Sequence, residues 1–99
     1  MDLRVIIFQE GESWSAQCID YDIGTRGESL KEVQQRMKNQ LIVEAMFSYE
    51  ATGEIFGGIP AAPSQFHDKW EDCADGLFTG TSNFPAMEKP VQVNMQLCA

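Results

Sequence analysis

The sequence is poor in basic residues and contains a single histidine. Seven lysines and arginines stand against 15 aspartates and glutamates, which gives a formal net charge of −8. A negative field of this size repels phosphate backbones, so direct nucleic-acid binding is disfavoured. No serine or cysteine lies in a recognisable nucleophile motif, and no glycine-rich phosphate loop is present. We therefore expect a protein that is not an enzyme and has no catalytic residue, metal or cofactor.

Long apolar runs and closely spaced cysteines are also missing. The longest runs, such as Val5 to Phe8, are far shorter than a membrane span or a signal-peptide core. A cytoplasmic location is therefore expected. The three cysteines, Cys18, Cys73 and Cys98, cannot all pair within the chain, and they lack the close spacing of zinc ligands. This favours reduced, buried thiols.

The first quarter of the chain has the alternation of β-strands. Residues 3–9 carry apolar side chains on both faces, which predicts a strand covered on both sides. A glycine within residues 10–12 permits a tight reversal, and residues 14–18 resume the period of two. After a second reversal at residues 20–22, residues 23–27 predict a short third strand.

A long helix follows this meander. Ser29 and Glu32 form a capping box, which predicts that the helix begins here, and Thr52 and Gly53 predict its end. Apolar residues at three- and four-residue steps predict the stripe that faces the sheet. These residues are Leu30, Val33, Met37, Leu41, Ala45 and Tyr49.

The second half of this helix is apolar on its outer side as well. Ile42, Val43, Met46 and Phe47 extend the apolar surface almost around the helix, so something should cover it. The cover could be the chain's own loop of residues 51–63 or a second subunit. We expect a homodimer or larger assembly through these four residues, or through an unpaired edge of the last strand.

The rest of the chain predicts one more helix and one more strand. Residues 51–63 are a Gly- and Pro-rich loop, and a short helix opens at Pro63 or Ser64 and ends at Gly76. Residues 76–90 are interpreted as a surface loop, and residues 91–98 as a half-buried strand. The fold class is therefore α+β, in the order β-β-β-α-(α)-β. A four-stranded mixed or antiparallel sheet is expected in a single domain, residues 1–99.

The order and spacing of these elements resemble the HicB-like antitoxin family. The matching positions are Phe8 to Gly11, Trp14, Ala16, Gln17, Cys18, Tyr21, Asp22, Ile23, Gly27 and the helix start from Ser29 to Val33. The resemblance implies a partial RNase H-like fold and an antitoxin that binds and occludes a HicA-like, RNA-cleaving toxin. Residues 50–99 lack a basic DNA-binding motif, so the chain resembles a solitary member of that family.

Acidic residues are the candidate partner-binding residues. Asp68, Glu71, Asp72 and Asp75 fall on the predicted second helix, and the helix dipole disfavours acids near its carboxyl end. They form either a solvated face or a docking surface for a basic protein partner. Asp20 and Asp22 in the second reversal are further candidates, and their usual role is turn chemistry rather than metal binding.

Three functions remain open from the sequence. The first is the antitoxin-like inhibitor of a toxin that the resemblance implies. The second is an acidic, phage-type anti-defence inhibitor that mimics nucleic acid, which small size and negative charge suggest. The third is a nuclease, and it has the least support because the first strand carries no acid in its middle, where an RNase H-like active site needs one.

Overall fold

The computed structural model describes residues 1–73, 75–82 and 91–98. They form five strands and two helices. The elements in chain order are β1 (Asp2–Glu10), β2 (Ser13–Cys18), β3 (Gly24–Gly27), α1 (Leu30–Thr52), α2 (Ser64–Asp72), β4 (Asp75–Ser82) and β5 (Val91–Cys98).

The strands form one mixed sheet in the order β3-β2-β1-β5-β4. β1 is the central strand, antiparallel to β2 and parallel to β5. Gly11 has a φ of 63° in the two-residue turn between β1 and β2, a conformation that favours glycine. The predicted α+β class, three-stranded meander, long helix, short helix and last strand are all confirmed.

β4 is a strand that the sequence analysis did not predict. Residues 76–82 fall in the segment interpreted as a surface loop and Asp75 in the predicted second helix, yet β4 pairs antiparallel with β5, with an irregularity in register between Gly76 and Phe78. The expectation of an unpaired edge on the last strand is therefore also wrong, because β5 lies between β1 and β4. The sheet has the four predicted strands and this additional one.

Both faces of β1 are covered, as predicted for this strand, and a different helix lies on each face. Leu3, Val5 and Ile7 lie in the main core, where the buried stripe of α1 packs. Ile6 lies on the opposite face in a second, smaller core, and the partly buried Phe66 and Trp70 of α2 pack against it. We call these two faces of the sheet the α1 side and the α2 side.

The ends of α1 are set by its capping residues. The Ser29 hydroxyl accepts a hydrogen bond from the Glu32 amide at 3.1 Å, and the Glu32 carboxylate accepts from the amide of Glu28, one residue before the cap. Gly53 closes the helix in the left-handed region with a φ of 80°. Both predicted ends of the helix are confirmed.

The predicted stripe of α1 is correct except at its last position. Ser48 is buried and Tyr49 is 45% exposed, so the stripe ends with a step of three residues from Ala45 rather than four. The Ser48 hydroxyl accepts a hydrogen bond from the Phe56 amide at 2.6 Å. Phe56 is 1% exposed, so the loop after α1 is fixed to the main core.

The cysteines do not all remain reduced. Cys73, directly after α2, forms a disulfide with Cys98 at the end of β5, and their Cα atoms are 5.0 Å apart. The expectation of three free thiols is therefore wrong for this pair. It is confirmed for Cys18, which is free and buried, and whose pKa is raised by this burial to about 11.

Candidate partner-binding site

The short helix α2 presents acids to solvent because its apolar residues face the sheet. Phe66, Trp70 and Cys73 pack against the second core. Asp68, Glu71 and Asp72 fall on the opposite arc of the helix at 100° per residue, and all three are exposed. We call these three carboxylates the acidic face. The structure thus places three of the four acids predicted for this helix on one surface.

Asp75 does not belong to the acidic face. α2 ends at Asp72, and Asp75 is the first residue of β4, where its backbone is paired with Leu97. The prediction that the helix continues to Gly76 is therefore wrong. The helix ends earlier because the Cys73 backbone is extended, which turns the chain from α2 toward the edge of the sheet.

Asp20 is engaged in a structural contact on the α2 side. Its carboxylate accepts hydrogen bonds from the Arg4 amide at 2.8 Å and from the Arg4 guanidinium at 2.8 and 3.2 Å. The hydrogen bond to Asp20 raises the pKa of Arg4, and the nearby charge of Glu71 adds to the effect. Arg4 therefore links the second reversal electrostatically to the acidic face.

Asp22 also lies on the α2 side, where its hydrogen-bond partner is Gln17 rather than Arg4. Its carboxylate accepts a hydrogen bond from the Gln17 side chain at 2.9 Å. Gln17 is paired with Ile6 in the sheet, so both side chains point to the α2 side. Five of the six predicted partner-binding acids therefore gather on one side of the molecule. Asp20 is the least free of them because Arg4 neutralises it.

A hollow of about 310 Å³ lies between α2 and the outer half of the sheet. Ser15 lines this hollow and is only 6% exposed. The Ser15 hydroxyl donates a hydrogen bond to the Glu10 carboxylate at 3.0 Å. The Lys69 ammonium lies 4.4 Å from the centre of the Phe8 ring, beside this hollow. The residues that line the hollow are Phe8, Glu10, Ser15, Ala16, Gln17, Gly24, Thr25, Arg26 and Phe66.

This hollow was not predicted from the sequence. The sequence predicted a cover on both faces of β1, so it gave no sign of this opening. What it could not show is that α2 covers only the part of the face around Ile6 and leaves the neighbouring part open. The placement of a short helix on a sheet depends on tertiary contacts.

The acids of this site are not grouped like the ligands of a metal ion. Across residues 1–73, 75–82 and 91–98, no three His, Cys, Asp or Glu side chains come together in a way that could hold a metal ion. His67, the single histidine of the chain, is half-buried on α2. The arrangement can offer charge and apolar contact to a partner.

The predicted oligomer-interface residues lie on the other side of the molecule. Val43, Met46 and Phe47 are 41%, 45% and 65% exposed, so within the described ranges the loop after α1 does not cover them. The interpretation that this loop covers the outer side of the helix is therefore wrong. Ile42 differs from the other three because it is half-buried and packs against the main core.

Comparisons with known proteins gave no match to this chain. No family model matches the sequence, and neither the curated proteins nor the solved structures include a match to it. A separate finding concerns membranes: neither helix in the described part of the chain is long and apolar enough to cross one.

Proposed function

We propose that this protein is a non-enzymatic binding protein that docks a basic protein partner on its α2 side. In the form that the HicB-like resemblance implies, the partner is a HicA-like toxin, and docking occludes its RNA-binding surface in the cytoplasm. The observation that supports this most directly is the acidic face, with three exposed carboxylates on a helix of nine residues.

The positions of these acids are not explained by helix stability. Glu71 and Asp72 are the last two residues of α2, where the helix dipole disfavours negative charge by about 0.3 to 1 kcal/mol each. Lys69 is the only basic residue in the last turn. A basic partner would offset this cost, since complementary charge steers encounter and fixes orientation.

The hollow beside α2 offers the same partner an apolar anchor. Phe8 and Phe66 line it with their rings 6.5 Å apart, and Glu10 lies at the same opening. Interfaces derive most of their affinity from a few side chains that enter such pockets, while surrounding charges set the association rate. The acidic face and the hollow therefore support two distinct contributions to binding.

The test compares the wild type with a charge-reversed variant. We expect Asp68→Lys, Glu71→Lys and Asp72→Lys together to leave the fold intact, because the three side chains are exposed. The partner is isolated from native cell extract with the wild-type chain as bait. Its association rate with the triple variant should then fall at least about tenfold at low salt, and the wild-type rate should fall as salt is added.

A matched control carries the same change in net charge elsewhere. Glu12, Glu28 and Glu54 are exposed and lie outside α2, so their triple lysine variant should keep most of the association rate. If the association rate falls equally for both triple variants, the net charge of the protein alone accounts for the effect. If the acidic-face variant binds as fast as the wild type, these acids are only a solvated face.

The identity of the bound partner separates the two kinds of inhibitor. An antitoxin-like inhibitor should suppress RNA cleavage by the isolated partner, with loss of suppression in the acidic-face variant. A nucleic-acid-mimicking inhibitor should instead compete with DNA or RNA for a partner that recognises nucleic acid. A partner that neither cleaves RNA nor binds nucleic acid would contradict both forms of the proposal.

A further inference from the structure

The outer face of α1 carries an apolar patch that the fold does not use. The buried residues of α1 lie on one arc of the helix. Val43 and Met46 lie on the opposite arc at 100° per residue, and with Phe47 they are 41% to 65% exposed. A hollow of about 330 Å³ lies among these three side chains and Glu50. None of the residues in 1–73, 75–82 and 91–98 covers this patch, which lies on the side of α1 opposite the main core.

The patch is the apolar middle of a longer line of exposed residues at heptad spacing, whose ends are polar. Arg36, Val43 and Glu50 are seven residues apart, and Asn39 and Met46 lie between them in a second heptad series. All five residues are exposed. Positions that repeat every seven residues form a continuous seam along a helix, which is the surface that packs against another helix.

The two ends of this seam have opposite charge. Arg36 lies two turns before Val43 and Glu50 two turns after it, about 10 Å away in each direction. The Arg36 guanidinium donates to the Arg26 carbonyl at 3.0 Å and pairs with Glu32 at 3.2 Å, and its side chain is still 57% exposed. An arginine has five N–H donors, so others remain for a partner across the seam.

We infer that the protein forms a homodimer in which two α1 helices pack antiparallel, crossing near Val43. In this arrangement Arg36 of each copy lies beside Glu50 of the other, and the apolar residues meet in the middle. A parallel arrangement would instead place arginine beside arginine and glutamate beside glutamate. The seam is thus self-complementary only in the antiparallel, two-fold symmetric orientation.

The experiment measures association of the full chain by sedimentation equilibrium. We expect the wild type to form dimers at micromolar concentration. Phe47→Ser should abolish them without changing the far-UV circular dichroism, because this ring is 65% exposed and packs little in the single chain. Glu50→Arg should weaken dimerisation at least about tenfold, because it creates two like-charged pairs per dimer. Glu12→Arg, with the same change in net charge at an exposed turn, should dimerise like the wild type.

Mixing two variants tests the orientation. Arg36→Glu and Glu50→Arg should each dimerise weakly alone, and an equimolar mixture should form a heterodimer with wild-type affinity, since both cross-pairs are restored. Circular dichroism verifies that Arg36→Glu folds, and Phe47→Ser tests the surface without altering Arg36. A monomeric wild type at high micromolar concentration would overturn the inference, as would a dimer that Phe47→Ser and Glu50→Arg leave unchanged. Neither result bears on binding at the acidic face.

Discussion

The two helices pack on opposite faces of the same sheet, yet they differ in burial and in charge. α1 has 23 residues, of which five are buried, whereas none of the nine residues of α2 is buried. α1 carries three basic and three acidic residues, whereas α2 carries one basic and three acidic residues. The helix that holds the main core is thus electrically balanced, and the helix on the smaller core carries excess negative charge.

The two helices therefore contribute differently to the stability of this small domain and to its exposed surface. α1 is long enough to bury one stripe and still present a second apolar surface on its outer side. α2 buries little surface of its own, so its position depends on the disulfide and on a few aromatic contacts. We therefore expect the fold to tolerate changes on α2 that it would not tolerate on α1.

The largest expected effect comes from the core side of α1. Leu41 is fully buried, so Leu41→Ala should cost about 2 to 5 kcal/mol in the free energy of unfolding. Trp70→Ala on α2 should cost about 1 to 2 kcal/mol, because Trp70 is only half-buried. Urea unfolding of the two variants measures both values. A larger cost for Trp70→Ala than for Leu41→Ala would contradict the expectation that the fold tolerates changes on α2 better than changes on α1.

The disulfide should matter more to α2 than to α1. Replacing Cys73 and Cys98 by serine removes a cross-link over 25 residues, which should cost about 3 kcal/mol in unfolding free energy. Hydrogen exchange should then show α2 opening well before α1.

A thiol titration checks that this cross-link is present. Denatured, unreduced protein should show only the Cys18 thiol, and all three cysteines should react after reduction. In the native protein at pH 8, Cys18 should react about a hundredfold more slowly than an exposed cysteine, because its pKa of about 11 keeps it protonated. Three reactive thiols without reduction would contradict the disulfide.

The smallest expected effect is at the start of α1. Ser29→Ala removes the hydrogen bond from the Glu32 amide and should cost about 1 kcal/mol. Ser64→Ala is the matched control, because no side chain caps α2, whose cap residue is Pro63. It should change the unfolding midpoint much less than Ser29→Ala does.

Much of the α1 side could be predicted from the sequence because its signals are local. The capping residues Ser29 and Gly53 and the regular apolar steps between them define a helix without any knowledge of its neighbours. The same holds for the meander, where an apolar strand, one glycine and the alternation of residues 14–18 define the hairpin.

The features that were missed depend on contacts between distant residues. β4 has weak strand propensity, with two glycines among its eight residues, and becomes a strand by pairing with β5. The disulfide requires β5 to run parallel to β1, which places Cys98 opposite Phe8 and within reach of the end of α2. All three acids of the acidic face were predicted, but Asp75 was wrongly placed with them, because helix periodicity gives the spacing of the acids and not the end of the helix.

The parallel pairing of β1 with β5 has a consequence for how the protein is made. Asp2 is paired with Gln92, so one edge of the central strand β1 can pair only with β5, about 90 residues later in the chain. Contacts of such long sequence separation slow folding, because closing the long intervening loop costs conformational entropy before the pairing stabilises the chain. A ribosome will have synthesised both helices before β5 emerges. Until then the unpaired edge of β1 is exposed, and this is the period in which a chaperone would be most useful.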